Sequence, residues 1–141
     1  MYTAQDIAEY FLYKANDYED LISNKKVQKL LYYAQGFHLA IYDKPLFDGS
    51  ILVDKHGPVV PSVYRLYTEF GSNCIPLPET FDLEKYDADT QEFLDEVFQV
   101  YGQFSAPALR NMSYDEPPCK NAHNDQISLE SMKSFFKTRI N

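Results

Sequence analysis

The chain is 141 residues long, enough for one domain with a sizeable core, and 45% of its residues are hydrophobic and 16% aromatic. This composition excludes a disordered chain, and the formal net charge of −8 argues against non-specific nucleic-acid binding, which requires clustered lysine and arginine. The first residues form no basic leader and no apolar run could cross a bilayer, so we expect a cytoplasmic protein that does not associate with membranes.

The N-terminal part of the chain predicts two helices. Thr3 followed by Asp6 indicates a capping box at the start of the first helix. The second helix is predicted from Ser23 to Tyr42 and is the longest in the chain. Gly36 in its middle indicates close approach of another backbone, because glycine costs about 1 kcal/mol there. The expected buried stripe of this helix consists of Val27, Leu31, Ala34, His38 and Ile41.

The middle of the chain predicts a small β-hairpin element, a helix and a loop. Residues 51–53 have the composition of a short strand, and the prolines within residues 55–61 make the next passage rigid. Pro61 suits the first position of a helix, which we expect to end at Phe70. Residues 72–86 contain two prolines and a polar stretch, which predict one long loop.

The C-terminal part predicts three more helices, with caps at Asp87 or Asp89, Ser105 and Ser128. The first of these carries an apolar stripe up to Tyr101, and the second is expected to end at Met112, before a break at Pro117 and Pro118. The sequence therefore predicts a mainly α (α+β) fold. A single domain over residues 1–141 would hold about six helices around the long central helix, with a small β-hairpin element.

No catalytic or metal-binding pattern is present in the sequence. His38 lies in the predicted buried stripe, and His56 and His123 have no second metal ligand at a suitable spacing. The glycines are scattered, so no phosphate-binding loop is predicted, and no nucleophile motif occurs. We expect no enzymatic activity, no cofactor and no metal. A site assembled in space from His38, His56 and Cys119 is the alternative that the spacing leaves open.

Charge and tyrosine content point to recognition. Residues 22–67 contain six basic and three acidic residues, a net charge of +3, whereas the rest of the chain has 7 basic and 18 acidic residues, a net charge of −11. The uneven charge has two interpretations. The charged residues either only contact solvent, or they form a surface that attracts a charged partner. Among the twelve tyrosines, Tyr33 and Tyr64 are the expected surface anchors, with packing at the edge of the core as the alternative.

Several short motifs follow one another along the chain: Gln28, the run Lys29–Gly36 (KLLYYAQG), Pro45–Phe47, Gly57–Pro61, Tyr64, Leu109–Arg110, Pro118–Ala122 and Ile127–Ser128. In order and spacing they resemble the Panacea domain family of phage-associated proteins, which includes the SocA-like antitoxins and the protein GepA. The resemblance covers nearly the whole chain. The chain departs from the family at Val53-Asp54 and Cys119, where relatives often carry tryptophan, and we expect these two positions to lie near each other.

The resemblance implies an antitoxin-like, non-enzymatic module that neutralises a protein toxin by direct binding. The alternative it implies is a proteolytic adaptor, or a regulator derived from a phage or mobile element that binds a host protein. Direct contact with nucleic acid is not expected, and a homo-oligomer is compatible with the sequence. Among the motif residues, Lys29, Tyr33, Gly57 and Pro58 are expected to be exposed. The predicted partner-binding residues are Lys25, Lys29, Tyr33, Gly36, Lys55, His56, Gly57, Pro58 and Tyr64.

Overall fold

The computed structural model describes residues 1–140 and shows a mainly α fold with a small β element, as predicted. The helices are α1 (Ala4–Asp17), α2 (Asn24–Tyr42), α3 (Pro61–Leu66), α4 (Ala88–Tyr101), α5 (Ala106–Tyr114), α6 (Pro117–Lys120) and α7 (Leu129–Lys137). The strands are β1 (Tyr2–Thr3), β2 (Phe47–Asp48), β3 (Ile51–Asp54), β4 (Gly57–Val59) and β5 (Gln126–Ile127). Short 3-10 helices occupy Thr68–Phe70 and Leu83–Lys85.

The predicted helix caps are present. The Thr3 hydroxyl accepts from the Asp6 N–H while the Asp6 carboxylate accepts from the Thr3 N–H, both at 3.0 Å, which completes the capping box. Asp87, rather than Asp89, caps α4. Ser23, Ser105 and Ser128 cap α2, α5 and α7 through their hydroxyls.

Two details of the helices differ from the prediction. The described residues form seven α-helices, close to the six or so predicted, because the additional short helix α6 begins at Pro117 after the predicted break. Proline lacks an N–H that the first turn of a helix leaves unpaired anyway, so it can start a helix as well as end one. The helix that begins at Pro61 ends at Leu66, and a separate 3-10 turn continues to Phe70.

The strands form two small sheets. In one, β1 and β2 pair in parallel. In the other, β3 lies between β4 and β5 and is antiparallel to both. The β3–β4 pair is the predicted hairpin, and Gly57, the first residue after its turn, has a φ of +92°, a conformation that glycine adopts readily.

The long helix α2 lies at the centre of the fold, where it packs against α1, α4, α5 and α7. At this level α2 is enclosed on all sides and not along one stripe, because six consecutive residues are fully buried: Leu30, Leu31, Tyr32, Tyr33, Ala34 and Gln35. The expected stripe is wrong at its end, where Ile41 is 47% exposed. The close neighbour of Gly36 is the ring of Phe136 on α7 and not a second backbone.

Candidate functional site

Three of the predicted partner-binding residues line one surface cavity. Lys25 and Lys29 lie one turn apart on the same face of α2, and His56 follows β3 in the hairpin turn. The opposite wall is the first half of α5. The cavity has a volume of about 270 Å³ and is lined by Lys25, Lys29, His56, Ala106, Pro107, Arg110 and Asn111. We refer to it as the basic cavity.

Lys29 is the most unusual residue of the basic cavity. Only 2% of the residue is exposed, and its Nζ donates a hydrogen bond to the Pro58 carbonyl at 3.2 Å. Within residues 1–140, no carboxylate lies within 4.0 Å of this ammonium group. Burial lowers the pKa of Lys29 to about 8, and the nearby Asp54 opposes this effect only in part. Lys29 is therefore a buried cation with a neutral partner.

Arg110 is held in a fixed position at the opposite wall. Its Nε donates to the Lys55 carbonyl at 3.0 Å, and its Nη1 donates to Asn111 Oδ1 at 3.2 Å. The guanidinium also lies 4.0 Å from the ring centroid of Tyr114, a cation–π contact. These contacts fix the plane of the guanidinium, and Nη2 has no hydrogen-bond partner in the described chain.

The basic cavity is positively charged in a protein of net charge −8. No Asp or Glu is among its lining residues, all of which the structure describes. The pKa of His56 lies below its ordinary value, because of partial desolvation and the nearby Lys25, so this imidazole is mainly neutral at pH 7. Lys25, Lys29 and Arg110 then supply the charge.

Four residues that were expected to be exposed are buried, and the expectation is wrong for each of them: Lys29, Tyr33, Gly57 and Pro58. Lys29 nevertheless lines the basic cavity with its side chain. Gly57 and Pro58 begin strand β4 directly after the hairpin turn, and Pro58 supplies the carbonyl that Lys29 binds. Their role is therefore to shape the cavity wall.

Tyr33 is a core residue instead of a surface anchor. Its hydroxyl and that of Tyr32 donate to the two carboxylate oxygens of Glu116, at 3.1 and 2.9 Å. The ring of Tyr33 stacks on Tyr101 at 4.0 Å between centroids. Burial raises the pKa of Glu116, and the two tyrosine hydrogen bonds counteract that rise. The tyrosine pair of the family motif therefore connects α2 to α6 and α4.

The remaining predicted residues lie outside the cavity lining. Gly36 faces Phe136 in the core. Lys55 is exposed, and its carbonyl positions Arg110. Tyr64 is 37% exposed on α3, and its carbonyl accepts from the Asn24 side chain, next to Lys25.

Sequence reasoning missed Arg110 and Asn111 as site residues. Leu109-Arg110 was recognised as a family motif, but its contact with the hairpin spans 55 residues of sequence. No local pattern signals such a contact. The positively charged Lys25 in the first turn of α2, where the helix dipole disfavours cations, was the available signal for the cavity itself.

Other candidate sites from the sequence do not come together. The His38 Nδ1 lies 2.6 Å from the Lys44 carbonyl oxygen, His56 lines the basic cavity, and Cys119 lines a different cavity. In the part of the chain that the structure describes, no three His, Cys, Asp or Glu residues are grouped as metal ligands. No helix within residues 1–140 is both long and apolar enough to span a membrane.

The two departures from the family pattern lie near each other, as expected. Val53 and Cys119 line the same cavity.

The sequence that makes these contacts matches a known protein family. The chain belongs to the family described as Antitoxin SocA-like, Panacea domain, whose sequence profile matches residues 27–119. The match contains every lining residue of the basic cavity except Lys25.

A curated relative gives a second comparison. Over 72 residues the chain is 40% identical to Antitoxin SocA of Caulobacter vibrioides (strain NA1000 / CB15N). The aligned region covers 51% of this chain and 38% of that relative, so the chain matches well under half of the relative's length. No solved structure matches the chain.

Proposed function

We propose that this chain is an antitoxin-like module that neutralises a cognate protein toxin by binding it directly. The observation that carries the proposal is the family match over residues 27–119. The similarity to Antitoxin SocA supports it. We propose that the chain acts on the toxin by binding it and that it catalyses no reaction.

The surface around the basic cavity is the proposed contact area. It joins a charged opening to a partly exposed aromatic side chain, the combination found at many protein interfaces. We call this surface the basic face, and it consists of Lys25, Lys55, His56, Tyr64 and Arg110. Its charge favours a toxin with an acidic patch, because complementary charges steer association.

A growth assay tests the proposal. The chain and the product of the neighbouring gene are expressed separately and together, and the complex is recovered by affinity purification. We expect the neighbour to arrest growth and this chain to relieve the arrest. The double variant Lys25→Glu/Lys55→Glu should bind and rescue at least about tenfold less well, since it reverses two exposed charges on the basic face.

The control is Lys44→Glu, an exposed lysine that lies after α2, outside the basic face. Rescue by the double variant equal to that of the control would contradict the assignment of the surface. The amount of toxin in the rescued cells also separates two mechanisms. An unchanged amount fits neutralisation by binding, whereas a fall that requires a protease would indicate an adaptor.

A further inference from the structure

The basic cavity has the properties of a ligand site in its own right. We propose that it binds a dianionic phosphate group, either free or carried by a small molecule. This proposal does not depend on a toxin partner, and its test uses the purified chain alone.

The first argument is that the charge of Lys29 is compensated only in part, since no carboxylate lies within 4.0 Å of it in residues 1–140. A cation that leaves water pays a large desolvation free energy, and buried charges in proteins are therefore normally paired. Lys29 is only 2% exposed, yet its described partner is a neutral carbonyl. An anion in the adjoining cavity would supply the missing opposite charge.

The second argument is the convergence of hydrogen-bond donors. An ammonium group has three N–H bonds, and Lys29 uses one on Pro58. The Nε and Nη1 atoms of Arg110 make hydrogen bonds that orient the guanidinium, and its Nη2 has no hydrogen-bond partner in residues 1–140. The side-chain N–H groups of Asn111 also have no partner in these residues. Ala106, the first residue of α5, also lines the cavity, and its N–H has no intrahelical partner.

The third argument concerns the charge of the ligand. Three cationic side chains without a lining carboxylate match a dianion better than a single carboxylate. Lys25 and Lys26 occupy the first turn of α2, where they oppose the helix dipole. Lys26 donates to the Gly102 carbonyl at 2.5 Å, at the C-terminal end of α4, whereas Lys25 has no such partner in residues 1–140 and lines the cavity.

The fourth argument concerns the size of the ligand. A volume of about 270 Å³ holds a phosphate group together with a small substituent. The protein outside residues 22–67 carries a net charge of −11, which would repel an extended polyphosphate backbone. A compact phosphate compound therefore fits better than a nucleic acid.

The test is calorimetric titration of the purified chain with inorganic phosphate, at constant ionic strength maintained with chloride. We expect saturable binding that Lys25→Gln and Arg110→Gln each weaken at least about tenfold, the effect of losing one charge-assisted contact. Lys44→Gln removes the same charge from an exposed site outside the cavity and should change the affinity by less than about twofold. Because Lys25 is exposed, its variant keeps the test valid even if Arg110→Gln perturbs folding.

Parallel titrations with glycerol phosphate and acetate identify the ligand chemistry. Tighter binding of glycerol phosphate would indicate an esterified ligand, and equal binding would indicate free phosphate; both results support a phosphate site. Acetate binding as tight as that of phosphate would overturn the assignment to a dianion. Absence of saturable phosphate binding, or equal loss in the Lys44 control, would overturn the site.

Discussion

At the scale of single residues, Lys29 shows how the family motif departs from ordinary surface chemistry. A lysine on an amphipathic helix normally extends its ammonium group to water. Here the hairpin residues Gly57 and Pro58 cover it, and the Gly57 backbone is close enough that a Cβ there would lie 3.1 Å from Lys29 Cε. A larger residue at position 57 would therefore crowd the lysine side chain, and the positive φ of Gly57 disfavours other residues as well.

We predict that Lys29→Met increases the stability of the free protein at pH 7 by about 1–2 kcal/mol. The lowered pKa corresponds to a penalty of about 3 kcal/mol on the folded state, and loss of the Pro58 hydrogen bond offsets part of the gain. Below pH 8 the lysine is charged in both states, so the penalty is complete. Between the folded pKa of about 8 and the unfolded value of 10.5, the folded state loses its proton first and the penalty declines.

The stability difference between Lys29→Met and the wild type should therefore shrink as the pH rises from 8 to 10.5. Urea unfolding in phosphate-free buffer at several pH values measures it. The groups that face Lys29 are Asp54, Cys119, Lys25 and Arg110, and they are the same in both proteins. A difference that widens with pH would contradict the assignment of Lys29 as a buried cation.

Gly36 is a second residue whose role becomes clear only from its neighbour. An added Cβ would overlap the ring of Phe136, which is itself 1% exposed. We predict that Gly36→Ala lowers the free energy of unfolding by about 1–3 kcal/mol, because the strain of overpacking exceeds the gain in helix propensity of about 1 kcal/mol. Chemical unfolding measures the change.

A double-mutant cycle with Phe136→Leu provides the control for Gly36. If the ring is the obstacle, Gly36→Ala should cost less when it is combined with Phe136→Leu than when it is introduced into the wild type. An equal cost in both backgrounds would mean that the glycine is required for another reason.

At the scale of elements, two buried glutamines explain the spacing within the family motif. Gln28 accepts from the Val60 N–H at 2.7 Å, at the start of α3. Gln35 accepts from the Leu46 N–H at 2.7 Å and donates to the Phe47 carbonyl at 2.8 Å. The two glutamine side chains, two helical turns apart on α2, thus supply hydrogen-bond partners for these backbone groups. They hold both ends of the segment from Leu46 to Val60, which contains the hairpin.

We predict that Gln35→Leu lowers the free energy of unfolding by about 2–4 kcal/mol, because it leaves the buried Leu46 N–H and Phe47 carbonyl without partners. Thermal and urea unfolding measure this loss. The matched control is Gln99→Leu on the exposed side of α4, which should change stability by less than about 0.5 kcal/mol. Equal effects in the two variants would show that the Gln35 contacts contribute little.

Elements with local signals could be predicted from the sequence. Thr3 with Asp6, Ser23, Ser105 and Ser128 each start a helix as expected, since capping involves residues only two or three apart. The strand β5 could not be predicted, because it forms only by pairing with a distant strand. Its residue Ile127 pairs with Ile51 of β3, 76 residues earlier in the sequence. The same limit explains why Arg110 was not assigned to the site.

Exposure was harder to predict than helix position. The pattern on α2 suggested a buried stripe, with Tyr33 and Lys29 outside it. Packing of α7 and α5 against the other sides of α2 buries both residues. A helix at the centre of a bundle has no solvent side at its middle, and amphipathic periodicity does not reveal this enclosure.

At the scale of the whole molecule, the chain combines an acidic exterior with one basic cavity at the meeting point of α2, α5 and the hairpin. Hydrogen bonds of Lys29 and Arg110 connect α2 and α5 to the hairpin, and Gln28 connects α2 to the start of α3. All three residues lie within the range matched by the family profile. In this chain, the motif residues therefore mainly position the walls of the cavity. Under the proposed function, the exposed side chains around the cavity would select the partner.

The most direct test of the central claim is calorimetric titration of the purified chain with the purified product of the neighbouring gene. We predict saturable binding that is at least about tenfold weaker for Lys25→Glu/Lys55→Glu and unchanged for Lys44→Glu. Growth rescue without any measurable complex between the two purified proteins would contradict direct binding as the mechanism of neutralisation.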